Sequence, residues 1–145
     1  GLTVMEVKEE NEDPSVFYDR ISKIALDALE EKDFVCIHLH QPDEASRAGD
    51  LKSKIFAIEG IDSFVFSKIR KYFERQKEAR LLITPCHATL WKMRTAVRDS
   101  VPFTVFGKNI MADGVERFSE VTSKTSDLKI TKNTELMPFF ITKVT

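Results

Sequence analysis

The sequence predicts an α/β fold: three layers, αβα, around a mainly parallel sheet, in a single domain over residues 1–145. Three observations predict it. Residues 34–39 (Phe-Val-Cys-Ile-His-Leu) form a nearly continuous apolar run of strand length, the pattern of a strand buried on both faces. Segments with helical apolar spacing lie on either side of it. Two more short apolar runs, 80–84 and 101–106, complete the order β-α-β-loop-α-β-loop-β-α, which favours parallel strands joined by crossovers.

Each element has its own reason. Residues 2–7 can make a short strand. Asp13 or Ser15 can cap the helix that follows, and Pro14 is tolerated in its first turn. That helix runs to about residue 32, with Phe17, Ile21, Ile24, Ala25 and Ala28 on one face. The strand 34–39 is expected to bury Cys36 in the core. A polar loop, 40–50, leaves it with the sequence HQPDEASRAGD. A long helix spans about 50–76, with Leu51, Ile55, Ile58, Val65, Ile69 and Tyr72 on one side. Gly60 weakens it by up to ~1 kcal/mol relative to alanine. After the strand 80–84 comes a long loop, or a loop with a helical turn, over 85–99. The third core strand, 101–106, leads into an irregular stretch, 107–131. A last helix covers about 133–141, with Pro138 as a kink.

Composition bounds the function. The chain of 145 residues is 42% hydrophobic and 31% charged, with a net charge of −1. Neither nucleic acid nor an acidic membrane surface suits such a balance, because both demand a basic stripe. No apolar run approaches the ~18 residues that span a bilayer. No signal peptide is expected, and Gly1 reads as an internal start or an added residue. Two cysteines, Cys36 and Cys86, suit a reducing cytoplasm without a disulfide framework.

Ligands of parallel sheets bind where loops leave the carboxyl ends of strands, which points to 40–50 and 84–99. His38 and His40 alternate on one face of a strand end. With Asp43, Glu44, Cys86 and His87 they contain the donor types of a zinc or manganese site. The bland alternative is a polar border to a loop. Arg47, Lys92, Arg94 and Arg98 can instead hold a phosphorylated or acidic small molecule. Trp91 either stacks on such a ligand or packs.

A longer comparison follows from the motifs. "DFVCIHLHQPDEASRAGDLKSKIFAIEGID" resembles the D-F-V-x-V-H-x-K-x-x-D-E-A-G-H-D-G-D-x-x-x-K-x-x-A-I-E-x-I-D segment of archaeal-type cofactor-independent phosphoglycerate mutases, members of the alkaline phosphatase superfamily. "RLLITPCHATL" is similar to their strand and T-A-D-H-S-T loop. "RDSVPFTVFGKNIMADGVERFSE" and "TKNTELMPFFI" resemble the segments that close the fold. The match is collinear and corresponds to the C-terminal part of that family.

The resemblance implies an alkaline-phosphatase-like domain in which two divalent ions, manganese or zinc, activate a serine that shuttles the phosphoryl group of phosphoglycerate. The cations offset phosphoryl charge and lower the serine's pKa. Carried over residue by residue, the ligands Asp43 and His87 are retained. The expected histidine partner of Asp43 is Arg47, the expected aspartate before His87 is Cys86, and the last expected histidine is Ala96. Ser46 and Ala48 flank Arg47 where the family has glycine and aspartate. Arginine keeps its charge in a protein and puts a cation where a metal should sit.

The family's nucleophile segment has no match here. The resemblance therefore implies a catalytically inactive module with no catalytic residue of its own and no bound metal. Its role would be structural, interactive or regulatory. Arg47 would pair with Asp43 and fill the vacated cation position. Alternatives are a phosphotransferase or phosphatase whose remodelled site uses Cys86, His87, Asp43, His38 and His40, or a phosphate-binding module. In the first of these a missing N-terminal segment or a partner chain would complete the site. A half-domain would also self-associate, pair with its missing N-terminal part, or be covered by its own helices.

Overall fold

The computed structural model describes residues 1–142. They divide into two compact units. The first joins Gly1–Tyr72 with Leu90–Thr95; the second joins Phe73–Thr89 with the residues from Ala96 onward.

The first unit is helical. Helix α1 spans Pro14–Leu29, and Asp13 is its N-cap, accepting from Ser15 N at 2.8 Å and from the Ser15 hydroxyl at 2.6 Å. Phe17, Tyr18, Ile21 and Ala25 are buried, close to the expected face, and each large one contributes about 1.5–3 kcal/mol by leaving water. Arg20 ties the acidic segment before the helix to it, through Glu12, through Glu10 at 3.5 Å and through the Lys8 carbonyl at 2.9 Å. Helices α2, Gln41–Ala48, and α3, Leu51–Gly60, follow. A π-helical stretch, Ile61–Phe66, and helix α4, Ser67–Phe73, then continue the same long helix.

The long helix does not bury the face its apolar spacing suggests. Ala57 and Gly60 are buried, whereas Leu51, Ile55 and Ile58 are 38%, 47% and 49% exposed. Gly60 explains the choice. A Cβ there would come within 2.7 Å of Tyr18 Cε2, so α1 approaches α3 more closely than any other residue would allow. What reads as a weak point in the helix is its contact point. Beyond it, Val65 and Ile69 are buried as expected. The hydroxyl of fully buried Ser22 reaches the carbonyls of Tyr18, at 2.7 Å, and Phe64, at 3.1 Å. That bond takes up a carbonyl within the widened π turn.

Neither strand expected in this unit forms. Residues 2–7 have no ladder, and Leu2, Val4 and Met5 are exposed. Residues 34–39 belong to neither helix nor strand, and Cys36, expected in the core, is exposed. Strand pattern alone does not supply a neighbour, and no described residue pairs with either segment.

The second unit holds strands β1, Arg80–Ile83, and β4, Thr104–Gly107. They pair antiparallel, from Arg80 opposite Gly107 to Ile83 opposite Thr104. Both fall at the positions read as strands. The stretch read as a loop holds short strands β2, Ala88–Leu90, and β3, Thr95–Val97, paired as a second two-stranded sheet. Its turn is closed by Met93 N and Arg94 N donating to the Leu90 carbonyl, with Arg94 at φ 54°. A 3₁₀ turn, Thr122–Thr125, interrupts the irregular stretch, and helix α5, Asn133–Thr142, contains Pro138. Arg80 fastens β1 to α5 by donating to the Phe140 carbonyl at 2.9 Å. The α/β class holds, but the described residues form two small two-stranded sheets, with β1 and β4 antiparallel, where a mainly parallel sheet was expected. The strand expected at 34–39 takes no part in it.

Candidate functional site

The stretch that opens as a polar loop is mostly helix α2. Pro42 near its start and the acids Asp43 and Glu44 in its first turn favour a helix N-terminus, and Arg47 favours the last turn. The end is set by Gly49, in the left-handed region at φ 76°. Gly49 N donates to the Ser46 carbonyl at 3.0 Å and Asp50 N to the Ala45 carbonyl at 2.9 Å, a Schellman pair. Asp50 at once caps α3, accepting from Ser53 N at 3.0 Å and the Ser53 hydroxyl at 2.8 Å. These bonds, the backbone one foremost, hold the Asp50 carboxyl below its ordinary value. An acid of the supposed metal loop is therefore a helix cap.

The remaining charged residues line one stripe of α2 at i, i+3, i+4 and i+7. Arg47 Nε lies 2.8 Å from Asp43 Oδ2, with the two side chains 50% and 31% exposed. His40 Nε2 lies 3.4 Å from Glu44 Oε1, both well exposed. Ser46, fully buried at the family's glycine position, turns its hydroxyl back to the Pro42 carbonyl at 2.7 Å.

One neighbour of this stripe was not legible as such. The Arg94 guanidinium lies against the Gly49 backbone: a Cβ on Gly49 would stand 2.4 Å from Arg94 Nε. The glycine after Ala48 was a signal for the helix end, not for an arginine packed on it. Trp91 is engaged locally, with the Lys92 ammonium 5.7 Å from its ring centroid. A depression of about 350 Å³ beside α2 was equally unread. Pro14, Tyr18, Gln41, Glu44, Ala45 and Phe56 contribute to its lining. The Gln41 Oε1 atom is buried without a hydrogen-bond partner among the described residues. Burial, with Glu9 adding to it, raises the Tyr18 phenol above its ordinary value.

The other expected residues are placed as follows. His38 is exposed in the segment 34–39 of the first unit. Cys86, His87, Ala96 and Arg98 are exposed and belong to the second unit. Among the described residues, no three His, Cys, Asp or Glu side chains cluster as a metal ion requires. The donor set does not fit two divalent ions: an arginine pairs with the carboxylate that should be a ligand. No helix is long and apolar enough to cross a membrane among the described residues.

Comparison with known proteins agrees with the motifs. The metalloenzyme superfamily profile matches residues 4–143. Among curated proteins, the 2,3-bisphosphoglycerate-independent phosphoglycerate mutase of Methanosarcina acetivorans is 33% identical over 143 residues, 97% of this chain and 36% of the relative. The protein named phosphoglycerate mutase 2 of Methanothermobacter thermautotrophicus is 39% identical over 111 residues, 77% of this chain and 27% of the relative. A probable mutase of Geobacter sulfurreducens is 32% identical over 142 residues, 97% of this chain and 36% of the relative. The chain thus spans about a third of the length of the curated relatives it matches. No solved structure matches it. Motifs, family profile and relatives converge, and the chain belongs to the metalloenzyme superfamily, as a relative of the 2,3-bisphosphoglycerate-independent phosphoglycerate mutases.

Proposed function

We propose that this chain is a non-catalytic module of the metalloenzyme superfamily, cytoplasmic, with a structural, interaction or regulatory role. It uses the scaffold on which its relatives build a phosphoglycerate mutase, without the two-metal site. The observation that carries this reading is the Asp43–Arg47 pair at 2.8 Å. The one retained carboxylate of α2 is met by a guanidinium, at the position where the resemblance expects a metal-ligating histidine. A fixed cation satisfies the carboxylate and repels a divalent ion from the same place.

The reading includes the architecture. One family profile covers both compact units, which supports their being parts of one αβα domain. The unladdered segment 34–39 is then a strand of the mainly parallel sheet of that domain. Titration of the chain with manganese and zinc, alongside mutase and phosphatase assays, tests the proposal. No saturable binding and no turnover are expected; a tight manganese site or mutase activity would overturn it.

A second reading has an observation of its own. Arg94 lies against Gly49, two residues beyond Arg47, so two guanidiniums border the end of α2. That supports binding of a phosphorylated small molecule there, and titration with 3-phosphoglycerate, comparing Arg94→Ala, tests it.

A further inference from the structure

Two depressions open side by side on the first unit, and every residue that lines them falls between Glu9 and Phe64. One, of about 350 Å³, lies beside α2; the other, of about 340 Å³, lies along the start of α1. Pro14, Tyr18 and Phe56 border both, so the two form one groove across the contact of α1 with α3. Its floor is apolar, with Ala45, Ala57 and Phe64 beside those three. Phe56 is 59% exposed, an aromatic ring left in water where the two depressions meet. The rim carries five exposed carboxylates, Glu9, Glu44 and Asp50 in the first depression and Asp13 and Glu59 in the second, and neither lining includes a lysine or arginine. The whole chain is nearly balanced, with 22 basic and 23 acidic residues, so this is a local concentration of negative charge. Gln41 Nε2 donates to Glu9 Oε2 at 3.3 Å, and Gln41 Oε1 is left without a donor among the described residues. A bound N–H group beside Glu9 would satisfy it.

We propose that this groove docks a basic amphipathic segment of a partner protein, with apolar side chains on the floor and lysine or arginine at the rim. Aromatic rings at the centre and polar groups around them are the anatomy of a protein interface. A helical segment supplies both faces at once, its apolar stripe on Phe56 and Phe64 and its cations toward the carboxylates. Charge selects the occupant. Nucleic acid and anionic lipid are repelled, and an acidic or purely apolar segment leaves the carboxylates unmet. Both depressions are open to the surface, which suits the side chains of a macromolecule better than a small molecule that must be enclosed. The inference rests on the interaction role proposed above and gives that role a surface and a partner chemistry.

The test uses the full chain and three synthetic peptides of about 14 residues. One has leucine and lysine at amphipathic helical spacing, the second has glutamate for lysine, and the third has serine for leucine. Calorimetric titration at about 0.15 M salt keeps unspecific charge attraction small. The leucine–lysine peptide is expected to bind one to one, and the other two at least about tenfold more weakly. Glu9→Gln, Glu44→Gln and Glu59→Gln combined should weaken its binding at least about tenfold, and so should Phe56→Ser alone. Asp13 and Asp50 are left intact because they cap helices. Amide exchange at α1 establishes that each variant is folded. No saturable binding up to about 1 mM peptide would overturn the proposal. So would equal binding of the serine peptide, or variants that bind as tightly as the parent. An oligomer of the parent chain that Phe56→Ser dissolves would put a second copy in the groove and sink the proposal as well. Mutase activity would instead sink the non-catalytic reading and leave the groove standing.

Discussion

Arg47→His is the most informative single change. The substitution removes the guanidinium held 2.8 Å from Asp43 and puts an imidazole one helical turn from it. Together with His40 and Glu44 the stripe then presents metal donors at i, i+3, i+4 and i+7 of one helix. The stability cost is small. Both partners are a third to a half exposed, so the pair is screened, and an i,i+4 ion pair of this kind contributes about 0.3–0.5 kcal/mol. For a chain of this size, that lowers the melting temperature by about 1–2 °C. Zinc should reverse the loss. At a free concentration one hundred times its dissociation constant, a ligand bound only by the folded state adds about 2.7 kcal/mol. Isothermal titration with zinc near pH 7.5, repeated near pH 5.5 where imidazoles protonate, reads the gain directly. The variant should bind at least about tenfold more tightly than the parent, a difference of about 1.4 kcal/mol, and lose that advantage at the lower pH. A Cys36→Ser, Cys86→Ser background removes the two exposed thiols as competing ligands. If the parent chain binds zinc as tightly as the variant, Arg47 does not occupy the cation position and the reasoning fails.

Three further changes test the fold around the stripe. Gly60→Ala should destabilise by about 1–3 kcal/mol in a thermal melt, because overpacking against Tyr18 outweighs the helix propensity gained. Ser22→Ala, read by urea denaturation, should cost about 0.5–1.5 kcal/mol by removing the buried hydroxyl's bond to the Phe64 carbonyl. Asp50→Ala should lower the melting temperature at neutral pH, while Asp50→Asn, which still caps α3, should not. The folded Asp50 carboxyl titrates below its ordinary value of 3.8. Its contribution is therefore complete above that value and is lost as pH falls through the lower folded one. Melts between pH 2 and 6 should show a flatter acid limb in Asp50→Asn than in the parent.

The elements whose signal is local were legible in the sequence. The Asp13 cap, the apolar face of α1 and the strands near 80–84 and 101–106 all follow from capping chemistry and short-range pattern. Two things were hidden because they depend on partners. The apolar spacing of 51–58 marks a face, but which face is buried was decided by Tyr18 meeting Gly60. The run 34–39 has strand composition, yet a strand needs a neighbour, and direction of pairing is not written in a single segment. At the site, the identity of residue 47 carried the reading, and the 2.8 Å contact with Asp43 agrees with it. The helix 41–48 has local signals in Pro42, Asp43, Glu44 and Arg47; it was obscured because Pro, Asp, Ser and Gly also favour loops, and the Gly49–Asp50 corner, closing one helix and opening the next, accounts for them.

The Asp43–Arg47 pair also changes what α2 depends on. A bound ion has a dissociation constant, and its occupancy follows the free concentration around it. A guanidinium attached four residues away in the same helix cannot diffuse off, so its effective concentration at the carboxylate is set by covalent geometry alone. Chelators and metal starvation have no purchase on such a pair. On the proposed reading, this contact within α2 does not vary with the supply of metal.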